Sequence, residues 1–271
     1  MLSRIQKFLF DTKARNEFLE LRRISKIPRY RPGISNILGP QLFYTDSSSF
    51  IFTYREIFKH EIYKFKTNQD APFIIDGGAN IGMASLYFKT KYPKSKIMAF
   101  EPDKQIFDTL SKNIASFGFT NVALINKGLW SEDTVLSFHS DGADGGKITS
   151  DKSDSAASKI EVTNINNFLS QPIDFLKLDI EGAEFEVLNA CKNNLHQVNR
   201  MFIEYHSFYN EPQKLDELLH IIRESGFRVY VNAPGFSSLS PLYEITVENK
   251  MDFQLNIFAY RTNEDSSFKH V

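Results

Sequence analysis

The stretch Phe73–Gly82, FIIDGGANIG, constrains this chain more than any other. Its apolar start, Phe73, Ile74 and Ile75, predicts a short buried parallel strand. The strand ends on Asp76 and breaks into a turn containing Gly77, Gly78 and Gly82. Met83 to Lys91 then has helical composition and stops at Pro93. Strand, glycine turn and helix make the ligand-cradling unit of doubly wound folds. Glycine admits close backbone approach, and a helix N-terminus offers free N–H groups.

The details depart from a phosphate site. A dinucleotide fingerprint reads G-x-G-x-x-G and a P-loop ends in Gly-Lys-Ser/Thr. Here the order is D-G-G-x-x-x-G, with an acid where pyrophosphate wants none. A carboxylate at the strand end suits a ligand carrying positive charge, an ammonium or a sulfonium. One strand later, Lys96–Phe100 runs into Glu101-Pro102. Glu101 follows the glycine turn by about twenty positions, the spacing at which an acid takes ribose hydroxyls. Acid, glycine turn and second acid together make the pattern of S-adenosylmethionine (SAM) sites.

The rest of the chain supports an α/β domain. At 271 residues and 42% hydrophobic, with 25 phenylalanines, it can bury a real core. A net charge of −1 gives no overall pull towards nucleic acid or anionic membrane. One cysteine, Cys191, excludes an internal disulfide framework and fits a reducing cytoplasm. No apolar run approaches the roughly 20 residues of a membrane span.

From the start, Met1–Ser25 is helical in pattern and reads as an accessory helix packed on the domain, or as an interfacial anchor or lid. Leu42–Thr45 and Phe50–Tyr54 flank Asp46-Ser-Ser-Ser49, which predicts a hairpin, and Arg55–Phe65 reads as a helix. The organisation expected is an extension over 1–67, a main domain over 68–262 and a polar tail over 263–271.

Within the main domain strand and helix alternate, which predicts a doubly wound, mostly parallel seven-stranded sheet. Helical spacing covers Asp103–Phe117; Asn121–Ile125 is the third strand. Thr134–Phe138 and Lys159–Thr163 read as an inserted hairpin around Ser140–Ser158, a Ser/Asp/Gly-rich loop that is either a tip or a lid. Ile173–Leu178 ends at Asp179, and a helix follows Glu184. Met201–His206 is the fifth strand, with Phe202, Glu204 and His206 on one face. A helix over Pro212–Ser225 and strands over Phe227–Val231 and Phe253–Tyr260 complete the set, with a connection long enough for a reversed last strand.

IIDGGANIG, AFEP, LKLDIEGAE and IEYHSF, in this order and spacing, resemble the FkbM family of SAM-dependent methyltransferases. The resemblance runs from about Phe50 to Tyr260. It implies a class I methyltransferase fold and O-methylation of a sugar, glycan or secondary metabolite. One segment departs from the family's Thr-Leu-Asp-Asp-like run: here it is Thr163-Asn-Ile-Asn-Asn167.

Asp76 is expected to act on the methionine portion of SAM through water or the turn backbone, or to cap the turn. Gly78 and Gly82 would admit the ligand, Asn80 would hydrogen-bond it, and Glu101 would take the ribose hydroxyls. Asn126 to Gly128 would border the adenine. In an open α/β sheet the site lies at the carboxyl ends of the strands, which offers Asp179, Glu181, Glu184, Glu204 and His206. Asp179 suits the SAM amino group or the acceptor, and Glu184 suits a cap or a basic partner. Glu204 and His206 lie where an acceptor hydroxyl could reach them, with His206 the general base on pKa grounds. Glu181 is a further candidate for that role. The same chemistry permits a divalent cation on Asp179, Glu204 and His206, although no compact ligand motif is present.

Three other protein classes share parts of this pattern. A nicotinamide dehydrogenase would need Tyr-x-x-x-Lys later than Tyr87 to Lys91. A nucleic-acid methyltransferase would favour Asn/Asp-Pro-Pro-Tyr where this chain has Asp179-Ile-Glu-Gly. A non-catalytic SAM-binding module would leave the acidic cluster without a task.

Overall fold

A computed structural model describes residues 11–140, 142, 145–149, 157–234 and 238–262. The expectations for residues 1–10, for most of the Ser140–Ser158 loop and for the 263–271 tail lie outside the described residues.

The chain opens with α1 (Thr12–Ile24), capped by Asp11, whose carboxylate accepts the Ala14 N–H at 3.0 Å. A short hairpin follows, β1 (Gly33–Ser35) against β2 (Leu42–Tyr44). The hairpin expected around Asp46-Ser-Ser-Ser49 does not form. Asp46 accepts the Ser49 N–H and hydroxyl at 2.8 and 2.9 Å and starts α2 (Ser47–Tyr54). The Asp-Ser run is a helix N-cap, which shares its composition with a turn. The helix expected over Arg55–Phe65 is likewise shorter: α2 continues as a π-helical segment, Arg55–Lys59, and stops.

The core alternates as expected: β3 (Phe73–Gly77), α3 (Met83–Lys91), β4 (Lys96–Phe100), α4 (Lys104–Ser116) and β5 (Val122–Ile125). An insertion carries β6 (Gly128–Trp130), β7 (Thr134–His139), β8 (Lys147–Thr149) and β9 (Ser158–Asn164). The chain then returns with β10 (Phe175–Leu178), α5 (Glu184–Cys191), β11 (Arg200–Phe208), α6 (Leu215–Glu224), β12 (Arg228–Asn232) and β13 (Met251–Tyr260).

The main sheet has the order β12-β13-β11-β10-β3-β4-β5. β13 runs antiparallel to both neighbours, and the pairs from β11 to β5 are parallel. β7 and β9 form the predicted inserted hairpin, extended by β6 and β8 into a small sheet. The departing segment Thr163–Asn167 belongs to this insertion: the Thr163 hydroxyl and the Asn167 amide both donate to Asp133, at 2.6 and 3.1 Å.

Period-two alternation splits the core in two. On one face Phe88, Phe175 and Phe202 pack with Tyr63 and Phe65 of the N-terminal extension, with ring centroids 4.8 to 6.4 Å apart. On the other, Ile75, Leu176, Leu178, Met201 and Ile203 pack with Val187, Leu188, Leu218 and Ile222 of α5 and α6. At the end of β13, Arg261 donates to the carbonyls of Val198, Ser225 and Leu195 at 2.8 to 3.0 Å.

Candidate active site

β3, β4, β10 and β11 end at one edge of the sheet, and the singled-out residues gather there. The turn after β3 is anchored to β4: the N–H groups of Gly78 and Ala79 donate to the Phe100 carbonyl at 3.1 and 2.8 Å. Gly78 (φ +72°) and Gly82 (φ +92°) sit in backbone that favours glycine, and both pack closely on the protein itself. A Cβ at Gly78 would meet the Asp179 carbonyl oxygen at 1.7 Å, and one at Gly82 would meet Leu110 at 2.7 Å. They let protein pack on protein. Asn80 (φ +47°) folds back, its side-chain oxygen accepting the Ile81 N–H at 2.6 Å.

Glu101 is brought against this turn. Its two oxygens accept the Asn80 N–H at 3.0 Å and the Asp103 N–H at 2.8 Å. Burial pushes its carboxyl up to about 7, against the pull of those two N–H groups. Asn126 donates to the carbonyls of Glu101 and Pro102, at 2.8 and 3.0 Å, so it shapes the Glu-Pro corner. Gly128 is buried in β6, with Val162 and Pro102 beside its α-carbon. Neither is a free strand exit.

Asp76 is fully buried and accepts from Ser85 Oγ at 2.7 Å. Its other oxygen lies 3.4 Å from Lys177 Nζ. Lys177 was not among the expected site residues, yet it also lies 3.1 Å from Asp179. The signal was a lysine inside a strand whose neighbours are Leu176 and Leu178. Glu56, on the π-helical segment, is a second addition. Burial and then the charge of Asp179 raise its carboxyl to about 7; nothing in the sequence pointed to it.

His206 meets the carboxylate of Glu184 from α5, while Glu204 on its own strand accepts from Gln254. The imidazole side chain is 2% exposed, with Nδ1 3.0 Å from Glu184 Oε1 and Nε2 3.6 Å from Glu181. Glu184 also accepts the N–H groups of Ile180 and Gly182, which folds the DIEG turn around its carboxylate. Burial lowers the His206 pKa, but Glu181, Glu184 and Glu204 outweigh it and hold the group well above 6.5. Glu204 accepts from Gln254 and is itself raised well above the carboxylate range, by burial and then by Asp179. A cavity of about 200 Å³ opens beside His206 and Glu184, bounded by Gly182, Tyr205, Phe208 and Gln213. Lys147 of the insertion overhangs it, 3.2 Å from the Phe208 ring centre and 2.5 Å from Glu211. A larger concavity between α5, α6 and β12 touches none of these residues. Among the described residues, Asp179, Glu181 and His206 bring ligand atoms within 4.8 Å of one another and could hold a cation, with Glu181 in place of the expected Glu204.

Among known families, the methyltransferase FkbM domain matches residues 76–229, from Asp76 into β12. This chain belongs to the FkbM methyltransferase family. It is 33% identical to methyltransferase sdnD of Sordaria araneosa, over 51% of this chain and 68% of that protein. It is 32% identical to methyltransferase 1 of Beauveria bassiana, over 51% and 66%. A hexuronic acid methyltransferase, AglP of Haloferax volcanii, is 30% identical over 53% and 59%. The chain thus spans about two thirds or less of these relatives. The solved structure of methyltransferase FkbM from Methylobacillus flagellatus superimposes with a TM-score of 0.50 at 15% identity, over 77% of this chain and 48% of that one. The FkbM chain described here therefore has the class I SAM-methyltransferase fold. Among its described residues no helix is long and apolar enough to cross a membrane.

Proposed function

We propose that this FkbM-family chain transfers the methyl group of SAM to a hydroxyl oxygen of a sugar, glycan or secondary metabolite. The observation that carries the reading is Glu101 set against the glycine turn, a buried carboxylate with two N–H partners among the described residues. Two ribose hydroxyls supply the donors that such a carboxylate lacks. Asp76 and Asp179 present negative charge to the methionine end, Asp76 from behind the turn and Asp179, its side chain 25% exposed, from beside it.

SAM, when bound, supplies an electrophilic methyl on a sulfonium. The chain must align the acceptor oxygen and remove its proton. The cluster of Asp179, Glu181 and His206, whose oxygen and nitrogen atoms lie within 4.8 Å of one another, is where that oxygen would be received. Glu184 fixes the Nδ1–H of the imidazole, which leaves Nε2 as the proton-accepting atom on the Glu181 side. Nε2 of His206 would take the proton of an acceptor hydroxyl, while the methyl that SAM would supply parts from its sulfur, which leaves as a neutral thioether. Cytoplasmic action fits the single free thiol, Cys191, buried and raised to about 12 by that burial. The test is a panel of hydroxylated acceptors incubated with methyl-labelled SAM. Label in a product ether supports the reading, and a folded protein that does not bind SAM in calorimetry overturns it.

A further inference from the structure

β10 is buried along its length, and Lys177 is its one charged residue. The ammonium lies 2.8 Å from the Gly78 carbonyl oxygen, 3.2 Å from that of Gly77, 3.1 Å from Asp179 and 3.4 Å from Asp76. Burial pushes Lys177 down, but the charges of Asp179 and Asp76 outweigh burial and raise it. The group is therefore an ammonium set between the side chains of Asp76 and Asp179. The same atom ties two strand ends together. Gly77 O also accepts the Asp179 N–H at 3.2 Å, and Gly78 presses on the Asp179 carbonyl.

We propose that Lys177 is a positioning residue for the cofactor: it pins the Gly77 and Gly78 carbonyls and holds the carboxylates of Asp76 and Asp179 together as a site for a sulfonium- or ammonium-bearing ligand. This rests on the SAM reading above. An ordinary buried ion pair would involve one carboxylate and no turn carbonyls. A cation inside a cation-binding site opposes its ligand unless it has another task, and here the task is to keep two acids side by side. Remove the ammonium, and the Gly77 and Gly78 carbonyls lose their shared donor while Asp76 and Asp179 lose the group that spans them.

The experiment is calorimetry with SAM on the wild type, Lys177→Met, Lys177→Gln and Lys177→Arg, each checked by its melting temperature. Gln keeps a donor without the charge, and it remains as the test if the Met variant fails to fold. Each folded Met or Gln variant should bind SAM about tenfold or more weakly, and Arg, which keeps the cation and its donors, should recover part of the loss. A role in stability alone lowers the melting temperature and leaves the affinity of the folded variants unchanged. That result overturns the inference. A wild type that binds no SAM overturns the SAM reading instead.

Discussion

Glu101→Gln tests how the cofactor edge is built. Burial holds the Glu101 carboxyl at about 7 in the folded chain, against 4.5 as a free side chain. The folded state therefore grips this proton more tightly than the unfolded state does. The group's contribution to stability is full below 4.5, declines as pH rises to 7, and is flat above. For that shift the loss between pH 5 and pH 8 is about 2–3 kcal/mol. Glutamine cannot ionise, so the slope disappears. Against this, its single amide oxygen faces two N–H donors, from Asn80 and Asp103, where the carboxylate offered two oxygens. One N–H is left unpaired, at about 1–3 kcal/mol at every pH. The variant should be less stable than wild type at pH 5 and nearly equal to it at pH 8, by urea unfolding of the ligand-free proteins. SAM affinity of the wild type should strengthen over the same range, because ribose hydroxyls prefer the ionised carboxylate, and that of the variant should not. Parallel stability curves for the two proteins would refute the reasoning.

His206→Asn should lower turnover by about 100-fold or more with SAM affinity nearly intact. The wild-type rate should climb through a midpoint above 6.5, since the neighbouring acids hold the proton on the imidazole; a midpoint at or below 6.5 removes His206 as the base. Gly78→Ala should destabilise by more than about 3 kcal/mol, because its Cβ would strike the Asp179 carbonyl. Gly118→Ala, with equally positive φ but open space, should lose only about 1–2 kcal/mol in the same melting assay. Exhaustive chelation should leave turnover unchanged; loss restored by magnesium or manganese would instead assign an ion to Asp179, Glu181 and His206.

The sheet was legible because buried strands and amphipathic helices follow periods of 2 and 3.6, and FIIDGGANIG marks where they turn. The extension was read less well. Asp46-Ser-Ser-Ser49 satisfies the rules for a turn and for an N-cap alike, and what decides is Phe50 and Tyr54 finding the core. In the site, the residues at strand ends could be placed by alternation. Their partners could not: Glu184 with His206, and Lys177 between Asp76 and Asp179, depend on side-chain reach across elements far apart in sequence. Gly78 shows a further limit, for a glycine that admits a ligand and one that admits a neighbouring backbone look the same in sequence.

The stretch that identifies the family and the stretch that can stand alone differ. The match spans 76–229, which cuts β12 and omits β13, the partner of β11 from Arg200 to Phe208. It also omits Tyr63 and Phe65, which cover Phe88, Phe175 and Phe202. A fragment trimmed to the match would bare an aromatic face on one side and an unpaired strand on the other, the two features that drive chains to aggregate. Swapping this fragment between relatives would therefore transplant the chemistry without its foundations; a viable chimera has to carry the aromatic segment around Tyr63 and Arg261 as well.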